Sequence, residues 1–294
     1  MKVKFWGVRG SIPSPGPQTA RYGGNTTCIE VRTDDGSLII LDAGTGIFPL
    51  AQSLLGQMPL AAHVFITHSH WDHIQGLPFF TPLYAGGNRV RIHGAYDIVS
   101  GRGIEQVMDV QLQYSYFPVR EAEMNAAIEY DTLTVGQSVA VGDALVTGAL
   151  LNHPVVDLGY RVDCNGKSLF FTGDHEPYAN IYQPEDEGYG EYQRLIDDKQ
   201  QRVDEALAGV DILIADCSYT AAEYPAKRGW GHGTFESSIE LARRAGVGRL
   251  VCTHHEPTRT DDDLERVFAE VLARQPQDGK LEILLAREGL ELEV

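Results

Sequence analysis

The chain has 294 residues, of which 43% are hydrophobic, enough for one large folded domain or two small ones. Its formal net charge of -17 argues against a broad nucleic-acid surface, because neutralising phosphates needs clustered lysine and arginine. A small phosphate ester bound at a metal centre stays compatible with this charge, since the cations would supply the positive charge.

The N-terminal segment, residues 1–7, lacks the apolar stretch of about 7–15 residues that marks a signal peptide. No apolar run approaches the roughly 20 residues needed to span a bilayer. The four cysteines are far apart and show none of the CxxC spacing typical of metal or redox sites. We therefore expect a cytoplasmic protein with reduced thiols and no membrane partner.

The first half of the chain alternates short apolar segments with glycine-rich and proline-rich loops. Period-two patterns and turn signals predict strands at residues 3–8, 27–33, 37–41, 64–67 and 89–93, and helices at 48–55 and 98–113. Glycines after Asp42 let the backbone approach a neighbouring group closely. Residues 96–131 are mixed and aromatic, and we expect a partly helical insertion there over the mouth of the site.

The second half continues with strands and then changes to strands alternating with helices. Strands are predicted at 132–135, 138–141, 144–150, 159–163, 168–172, 210–215 and 249–253, and helices at 192–207, 235–245 and 261–274. Residues 281–285 and 290–294 are predicted to close the chain as a pair of strands. We expect a single α/β domain spanning 1–294, with four layers in the order helix, sheet, sheet, helix.

Four metal-capable side chains fall within six residues, directly after the apolar run at 64–67. They are His68, His70, Asp72 and His73. Imidazole and carboxylate groups at such density match the ligands of zinc and similar borderline cations. Two histidines two residues apart at a strand end can point at one cation, and the Asp and His that follow can turn towards a second.

A catalytic two-metal site needs about three or four protein ligands per metal and an open position for water. Three later candidates each follow an apolar strand, where functional groups are commonly presented: His153, Asp174 and His254. Asp174 is the natural bridging ligand, since each of its carboxylate oxygens can take one metal. His255 is adjacent to His254 and is the alternative to it.

This ordered set of histidines and aspartates resembles that of the metallo-β-lactamase-fold hydrolases over nearly the whole chain. The resemblance implies an αββα sandwich with a dinuclear site between the sheet edges. It implies two divalent ions, zinc foremost with manganese or iron as alternatives. One ion would be held by His68, His70 and His153, and the other by Asp72, His73 and His254, with Asp174 bridging.

Residues 231–234 precede a predicted helix and resemble the motif of the ribonuclease Z-like phosphodiesterases. In those enzymes the extra histidine, here His232, contacts the scissile phosphate or protonates the leaving oxygen, and an imidazole pKa near 6.5 suits this role. The alternative is a loop histidine that makes only local hydrogen bonds. Asp216, at another strand end, is a candidate to orient a site histidine, and Asp42 is expected to support the ligands.

Segments 5–11 and 23–27 resemble stretches of bacterial cyclic-nucleotide and cyclic-phosphate phosphodiesterases. Their loops border the expected site, so Arg9, Ser11 and Asn25 are candidate substrate contacts, with a purely structural role as the alternative. His175 and Glu176 follow Asp174 and are candidate pocket residues that would contact substrate, or else residues that support the metal ligands.

The function expected first is hydrolysis of a small phosphodiester, such as a cyclic nucleotide, with Asp72, Asp174 and His232 as catalytic residues. A hydroxide held between two cations would attack phosphorus, and His232 would protonate the leaving alkoxide. The alternatives are a lactonase or thioesterase, a ribonuclease Z-like enzyme, and a nucleotide sensor without catalysis. A homodimer formed through the insertion is a further hypothesis.

Overall fold

The computed structural model describes residues 1–276 and 279–294, and its strands form two seven-stranded sheets. The first sheet has the order β14-β1-β2-β3-β4-β5-β6. Its strands are β1 (Lys2–Gly7), β2 (Cys28–Arg32), β3 (Leu38–Leu41), β4 (Ala61–Ile66), β5 (Arg89–Ala95), β6 (Ala127–Leu133) and β14 (Glu291–Glu293). From β3 to β6 the neighbouring strands run parallel, whereas β14, β1, β2 and β3 pair antiparallel.

The second sheet has the order β13-β12-β11-β10-β9-β8-β7. Its strands are β7 (Ser138–Val141), β8 (Ala144–Leu150), β9 (Leu158–Cys164), β10 (Lys167–Phe171), β11 (Ile212–Asp216), β12 (Arg249–Thr253) and β13 (Glu282–Leu285). It repeats the pattern of the first sheet, with parallel pairing from β10 to β13 and antiparallel pairing from β7 to β10.

Helices cover the outer face of each sheet. They are α1 (Ile47–Ser53), α2 (Trp71–Ile74), α3 (Ile104–Gln111), α4 (Tyr189–Leu207), α5 (Phe235–Arg244) and α6 (Asp261–Ala273). Inward-facing side chains such as Phe5, Phe65 and Phe171 form one core between the sheets. Two further cores lie under α1 and α3 on one side and under α4, α5 and α6 on the other.

The four-layer αββα prediction is confirmed, because alternating side chains of the central strands of both sheets enter two different cores. The end of the chain differs from the prediction. The last two strands do not pair with each other, since β13 extends the second sheet beside β12 and β14 returns to the first sheet beside β1.

The predicted insertion at 96–131 is too long at its C-terminal end, because residues 127–131 belong to β6 and pair with β5. Its helix also starts later than predicted. Gly101 takes a positive φ of 70° and Gly103 precedes the first helical residue, so α3 begins only at Ile104. The insertion outside the sheet therefore spans residues 96–126. Among the described residues, no helix combines the length and apolar character needed to cross a membrane.

The parallel strands decide where functional side chains meet. In each sheet the carboxyl ends of neighbouring parallel strands lie at one edge, so the residues following β3 and β4 face those following β10, β11 and β12. The backbone hydrogen bond from Leu158 to the carbonyl of Thr67 joins the two sheets close to this edge.

Three polar side chains on neighbouring strands of the first sheet lie in a row, with the buried His93 between the half-buried His63 and Asp131. The Nδ1 atom of His63 lies 3.0 Å from the Nε2 atom of His93, whose Nδ1 atom lies 3.2 Å from a carboxylate oxygen of Asp131. The His93 ring stacks on Phe65 with centroids 4.2 Å apart. Burial lowers the pKa of His93 to about 4, so the folded protein keeps this imidazole neutral.

We expect acid to destabilise the fold through His93. The unfolded chain takes up this proton near the ordinary pKa of about 6.5, so stability falls as the pH drops from 6.5 towards 4. Between pH 7 and pH 5, His93 should lower the free energy of unfolding by roughly 2 kcal/mol. A His93→Phe variant should lack this part of the decrease. Urea unfolding of both metal-free proteins at the two pH values measures this difference, and equal losses would contradict the prediction.

Candidate metal centre

The two sheets bring seven metal-capable side chains to one place. Residues 68–73 follow β4 and enter the short helix α2, while His153, Asp174 and His254 follow β8, β10 and β12. All seven residues fall into two overlapping groups whose ligand atoms lie within 4.8 Å of one another: His68, His70, His153 and Asp174, and Asp72, His73, Asp174 and His254. These are the two sets that the resemblance implied.

Asp174 lies between the two groups and presents one oxygen to each. Its Oδ2 atom is 3.5 Å from Nε2 of His68 and 3.8 Å from Nε2 of His153. Its Oδ1 atom is 3.3 Å from Nε2 of His73 and 3.1 Å from Nε2 of His254. The side chain is 1% exposed, so both oxygens face the cluster and not solvent.

The donor set fits two divalent cations. Ligand atoms at about 2.1 Å from a tetrahedral zinc lie about 3.4 Å apart, close to the separations observed in both groups. Three of the buried atoms, Nε2 of His68, Nε2 of His73 and Oδ1 of Asp174, have no hydrogen-bond partner among the described residues. Buried polar atoms without partners are costly, and one cation in each group would together satisfy all three.

Neighbouring acceptors set the tautomers of the clustered histidines. The Nδ1 atom of His73 lies 2.7 Å from Asp42, and Nδ1 of His153 lies 2.9 Å from the carbonyl of Gly231. Because carboxylate and carbonyl oxygens only accept, each Nδ1 carries a proton, and Nε2 is the nitrogen that each ring can offer to a cation. Asp42 is itself held by the backbone N–H and hydroxyl of Thr67.

The backbone at His254 has a positive φ of 58°, a conformation that is uncommon for a residue with a side chain. Its Nδ1 atom lies 3.0 Å from the hydroxyl of Ser218, which also lies 2.7 Å from Oδ1 of Asp216. Gly10 packs against the ring, since a Cβ atom there would lie 2.2 Å from it. His255, the alternative to His254, is instead buried elsewhere, with Nε2 2.8 Å from the carbonyl of Ala286.

Clustered carboxylates give this site a strong negative field. Burial disfavours a charged His73, but Asp174, Asp72 and Asp42 outweigh it and hold the pKa of His73 well above its usual range. Burial likewise disfavours a charged His254, but the nearby Asp174 outweighs it and raises the pKa of His254. Without cations, protons on these two rings balance the carboxylates, and divalent cations would replace those protons.

His232 stands beside the cluster at the end of a loop that leads into α5. Its Nδ1 atom lies 2.9 Å from Oδ2 of Asp216 and 3.6 Å from Oδ2 of Asp174. Burial opposes the imidazolium, but the two carboxylates outweigh it and raise the pKa of His232 to about 9. With Nδ1 directed to Asp216, the Nε2 atom is the nitrogen left for a substrate.

Glu176 does not contact an open pocket, so of its two predicted roles the structure favours support of the metal ligands. Its side chain is buried and accepts hydrogen bonds from the hydroxyl of Tyr224 at 2.7 Å and from the backbone N–H groups of Gly229 and Gly231 at 2.8 Å. Glu176 therefore fixes the loop that carries His232 and orients His153.

Arg9 was expected to contact substrate, but its side chain is fully buried. It donates to the carbonyls of Gly23 and Arg259 at 2.8 Å and pairs with Asp261 at 3.2 Å, so its donors are used inside the fold. We correct its role to a structural one, joining the N-terminal loop to the start of α6.

The remaining predicted contacts differ in their positions. Ser11 is exposed, and its backbone N–H donates to Oδ2 of Asp72 at 2.7 Å, which places it at the cluster. Asn25 is half-buried and uses its backbone carbonyl to hold Val8 and Arg9. His175 is buried, and its Nδ1 atom accepts from the backbone N–H of Asn152 at 3.2 Å, so it supports the loop of His153.

Sequence reasoning missed three residues that border the cluster. Gly10 and Ser218 support His254, and Ser218 could have been noticed because it follows Asp216 after a strand. Asp157 is fully buried with a carboxylate oxygen 3.7 Å from Nδ1 of His68. Burial and the neighbouring Asp174 raise the pKa of Asp157 well above its usual range. Its sequence context, a loop after an apolar segment, gave no signal.

The fold and the paired donor sets together define a metallo-β-lactamase-fold hydrolase. A family model described as the beta-lactamase superfamily domain matches residues 38–255, and the chain belongs to this superfamily. Within it the chain is an enzyme of the ribonuclease Z-like branch. It is 24% identical to ribonuclease BN of Cronobacter sakazakii over 94% of this chain and 96% of that protein. It is also 24% identical to ribonuclease Z of Thermoplasma acidophilum, over 92% of each.

Solved structures share the fold over the full length of the chain. The metallo-β-lactamase fold protein YhfI of Bacillus subtilis superposes with a TM-score of 0.68 at 19% identity, covering 100% of this chain and 99% of that one. A diphosphatase of the PhnP family superposes with a TM-score of 0.66 at 21% identity, covering 100% of this chain and 97% of that one. Zn²⁺-bound PqqB of Methylobacterium extorquens gives 0.67 at 18%, covering 100% of both.

Proposed function

We propose that this hydrolase cleaves a phosphodiester, foremost a small cyclic nucleotide or a related diester. The observation that carries the proposal is His232, which adds a proton donor beside two complete sets of metal-capable ligands. Hydrolysis of a carbonyl compound such as a lactone or thioester gives no evident use for this residue. Phosphodiester cleavage gives it one, because the departing alkoxide needs a proton.

The proposed ligands are His68, His70 and His153 for one divalent ion and Asp72, His73 and His254 for the other, with Asp174 shared. Two such ions would acidify water and neutralise the charge that develops on a phosphate. Zinc is the first candidate, and the zinc-bound PqqB structure supports it, whereas manganese and iron suit the same donors. Asp42 and the carbonyl of Gly231 hold the Nδ1 protons of His73 and His153, which directs the Nε2 atoms of both rings towards the ions.

His232 is the proposed general acid. Asp216 accepts from its Nδ1 atom and so directs a proton on Nε2 towards the departing oxygen. Cations bound at Asp174 would remove part of the negative field that raises the pKa of His232. The pKa of His232 would then be lower than in the metal-free protein, and a donated proton would be released more readily.

Ribonuclease activity is the second candidate function. The curated relatives named ribonuclease Z and ribonuclease BN support it, because they match this chain over more than nine-tenths of its length. The net charge of -17 speaks against a long RNA substrate, whose binding rests on clustered cations. A small diester needs no such surface.

A substrate panel tests the proposal. Protein loaded separately with zinc, manganese and iron is assayed on bis(p-nitrophenyl) phosphate, cyclic nucleotides, a short RNA, a lactone and a thioester. We expect the highest kcat/KM on the small phosphodiesters. Faster turnover of the lactone or thioester would overturn the assignment, faster turnover of RNA would establish the second candidate, and tight nucleotide binding without product would identify a sensor.

Glu176→Gln should lower turnover by roughly 10- to 100-fold although its side chain meets no substrate, since supporting groups of metal sites act on this scale. Loss of the carboxylate charge loosens the hydrogen bonds that hold residues 229–231, and with them His153 and His232. Steady-state kinetics and metal analysis measure the effect. The control is Glu223→Gln, because Glu223 directly precedes the loop at 224–231 but its carboxylate accepts from Arg259. Similar losses in both variants would contradict the prediction.

A further inference from the structure

A groove with a volume of about 760 Å³ opens between α2 and the insertion at 96–126. Aromatic side chains form much of its wall: Trp71, Phe79, Tyr116 and Phe117. Trp71 is 79% exposed and Tyr116 is 73% exposed, while Phe79 and Phe117 meet edge to face with ring centroids 5.4 Å apart. Exposed aromatic groups concentrated in one concave surface mark a ligand site rather than ordinary surface.

The groove begins at the candidate metal centre. Trp71 lies in sequence between His70 and Asp72, one proposed ligand from each group. Ser69, between His68 and His70, also lines the groove, and the wall continues into a small cavity that His68 itself lines. His70 is the exposed member of its group, so the cluster is open to solvent beside His70. A phosphate at the cluster would therefore carry its substituent towards this groove.

The chemistry of the wall selects an uncharged planar group. Among the described residues lining the groove, the charged ones are a single acid and a single base, Asp97 and Arg102, which leave it without net charge. A polyanion would need several cations there. Aromatic faces instead stack with nucleobases whatever their sequence. The volume also falls within the 300–1,000 Å³ range typical of sites for small organic ligands.

We propose that this groove binds the nucleobase of a mononucleotide substrate, stacked on Trp71 and Tyr116, while its phosphate lies at the metal centre. The inference rests on the proposed phosphodiesterase function for the position of the phosphate. It assigns the insertion at 96–126 to substrate selection, and it makes a nucleotide the preferred diester over one that carries no aromatic group. Binding in this groove acts on affinity and not on the bond that breaks.

The test compares two phosphates on the metal-loaded protein by calorimetry, adenosine 5′-monophosphate and ribose 5-phosphate. We expect wild type to bind the nucleotide about tenfold more tightly, as a stacked base provides. Trp71→Ala and Tyr116→Ala should each weaken nucleotide binding about tenfold and leave ribose 5-phosphate unchanged. Tyr114→Ala is the matched control, because Tyr114 lies two residues from Tyr116 and is 74% exposed but does not line the groove.

Equal affinities of wild type for the two phosphates, or equal losses in the Tyr114 and Tyr116 variants, would overturn the inference. So would a dimer, measured by light scattering, that Trp71→Ala and Tyr116→Ala dissociate without weakening nucleotide binding, since the groove would then join two copies of the chain. With 3′,5′-cyclic AMP, the two groove variants should raise KM about tenfold at similar kcat. If no phosphodiester is hydrolysed but the binding pattern holds, the proposed function fails and the groove assignment stands.

Discussion

Replacing Asp174 with asparagine is expected to lower the turnover of bis(p-nitrophenyl) phosphate by at least about a thousandfold. The carboxylate presents one oxygen to each donor group, so this single change weakens both candidate metal positions. A loss of about 4 kcal/mol in transition-state stabilisation corresponds to this factor and is the scale on which bound metals act. The asparagine keeps the size of the side chain, which limits damage to the fold.

Metal analysis of the purified variant separates this effect from unfolding. We expect bound metal to fall from about two equivalents per chain, with a circular dichroism spectrum close to that of wild type. Asp34→Asn is the control, because exposed Asp34 belongs to a separate group, with Asp143 and the buried Cys164, whose ligand atoms also lie within 4.8 Å of one another. Full activity and full metal content in the Asp174 variant would refute the bridging role.

Replacing His232 with glutamine should slow the cleavage of cyclic AMP by roughly 100- to 10,000-fold, the usual range for loss of a general acid. The effect should depend on the leaving group. An alkoxide needs the proton of His232, whereas p-nitrophenolate departs without one, so bis(p-nitrophenyl) phosphate should lose far less. Steady-state kinetics on both substrates give the comparison.

The leaving-group comparison also tests the other role considered for this histidine. If His232 only held the phosphate, both substrates would slow equally, and that result would refute the proton-donor assignment. His175→Gln is the matched control, because His175 is a buried neighbour that supports the loop of His153. Any loss in that variant should be the same for both substrates.

Much of the candidate centre could be predicted because strand ends are visible in the sequence. His68, Asp174 and His254 each follow an apolar run bounded by polar residues, and parallel strands bring their carboxyl ends to one edge. The αββα layers followed from the same runs. The choice of His254 over His255 needed the structure, since a positive φ turns one ring into the cluster and the next away from it.

The errors arose where distant contacts decide a residue's role. Arg9 lies in a loop with glycines and serines, which predicts an exposed side chain. Its partner Asp261 is 252 positions away, so no neighbouring residue indicates that Arg9 is buried. Glu176 is polar and follows a ligand, which suggested either a pocket residue or a supporting one, and only its three donors from residues 224–231 decide for the second. The extent of the insertion was misjudged because residues 127–131 pair with β5, although Ile128 and Tyr130 alternate with Glu129 and Asp131 as in a strand.

Each candidate metal position draws its donors from both sheets. Residues 68–73 come from the first, and His153, Asp174 and His254 from the second. During synthesis the position of His68, His70 and His153 cannot form before Asp174 has emerged, and the other cannot form before His254 has emerged. Both also need the second sheet docked on the first. Cation capture would then be a late event that holds the halves together, adding about 2.7 kcal/mol for each site at a free concentration of 100 Kd. A cell short of metal would therefore accumulate a less durable protein as well as an inactive one.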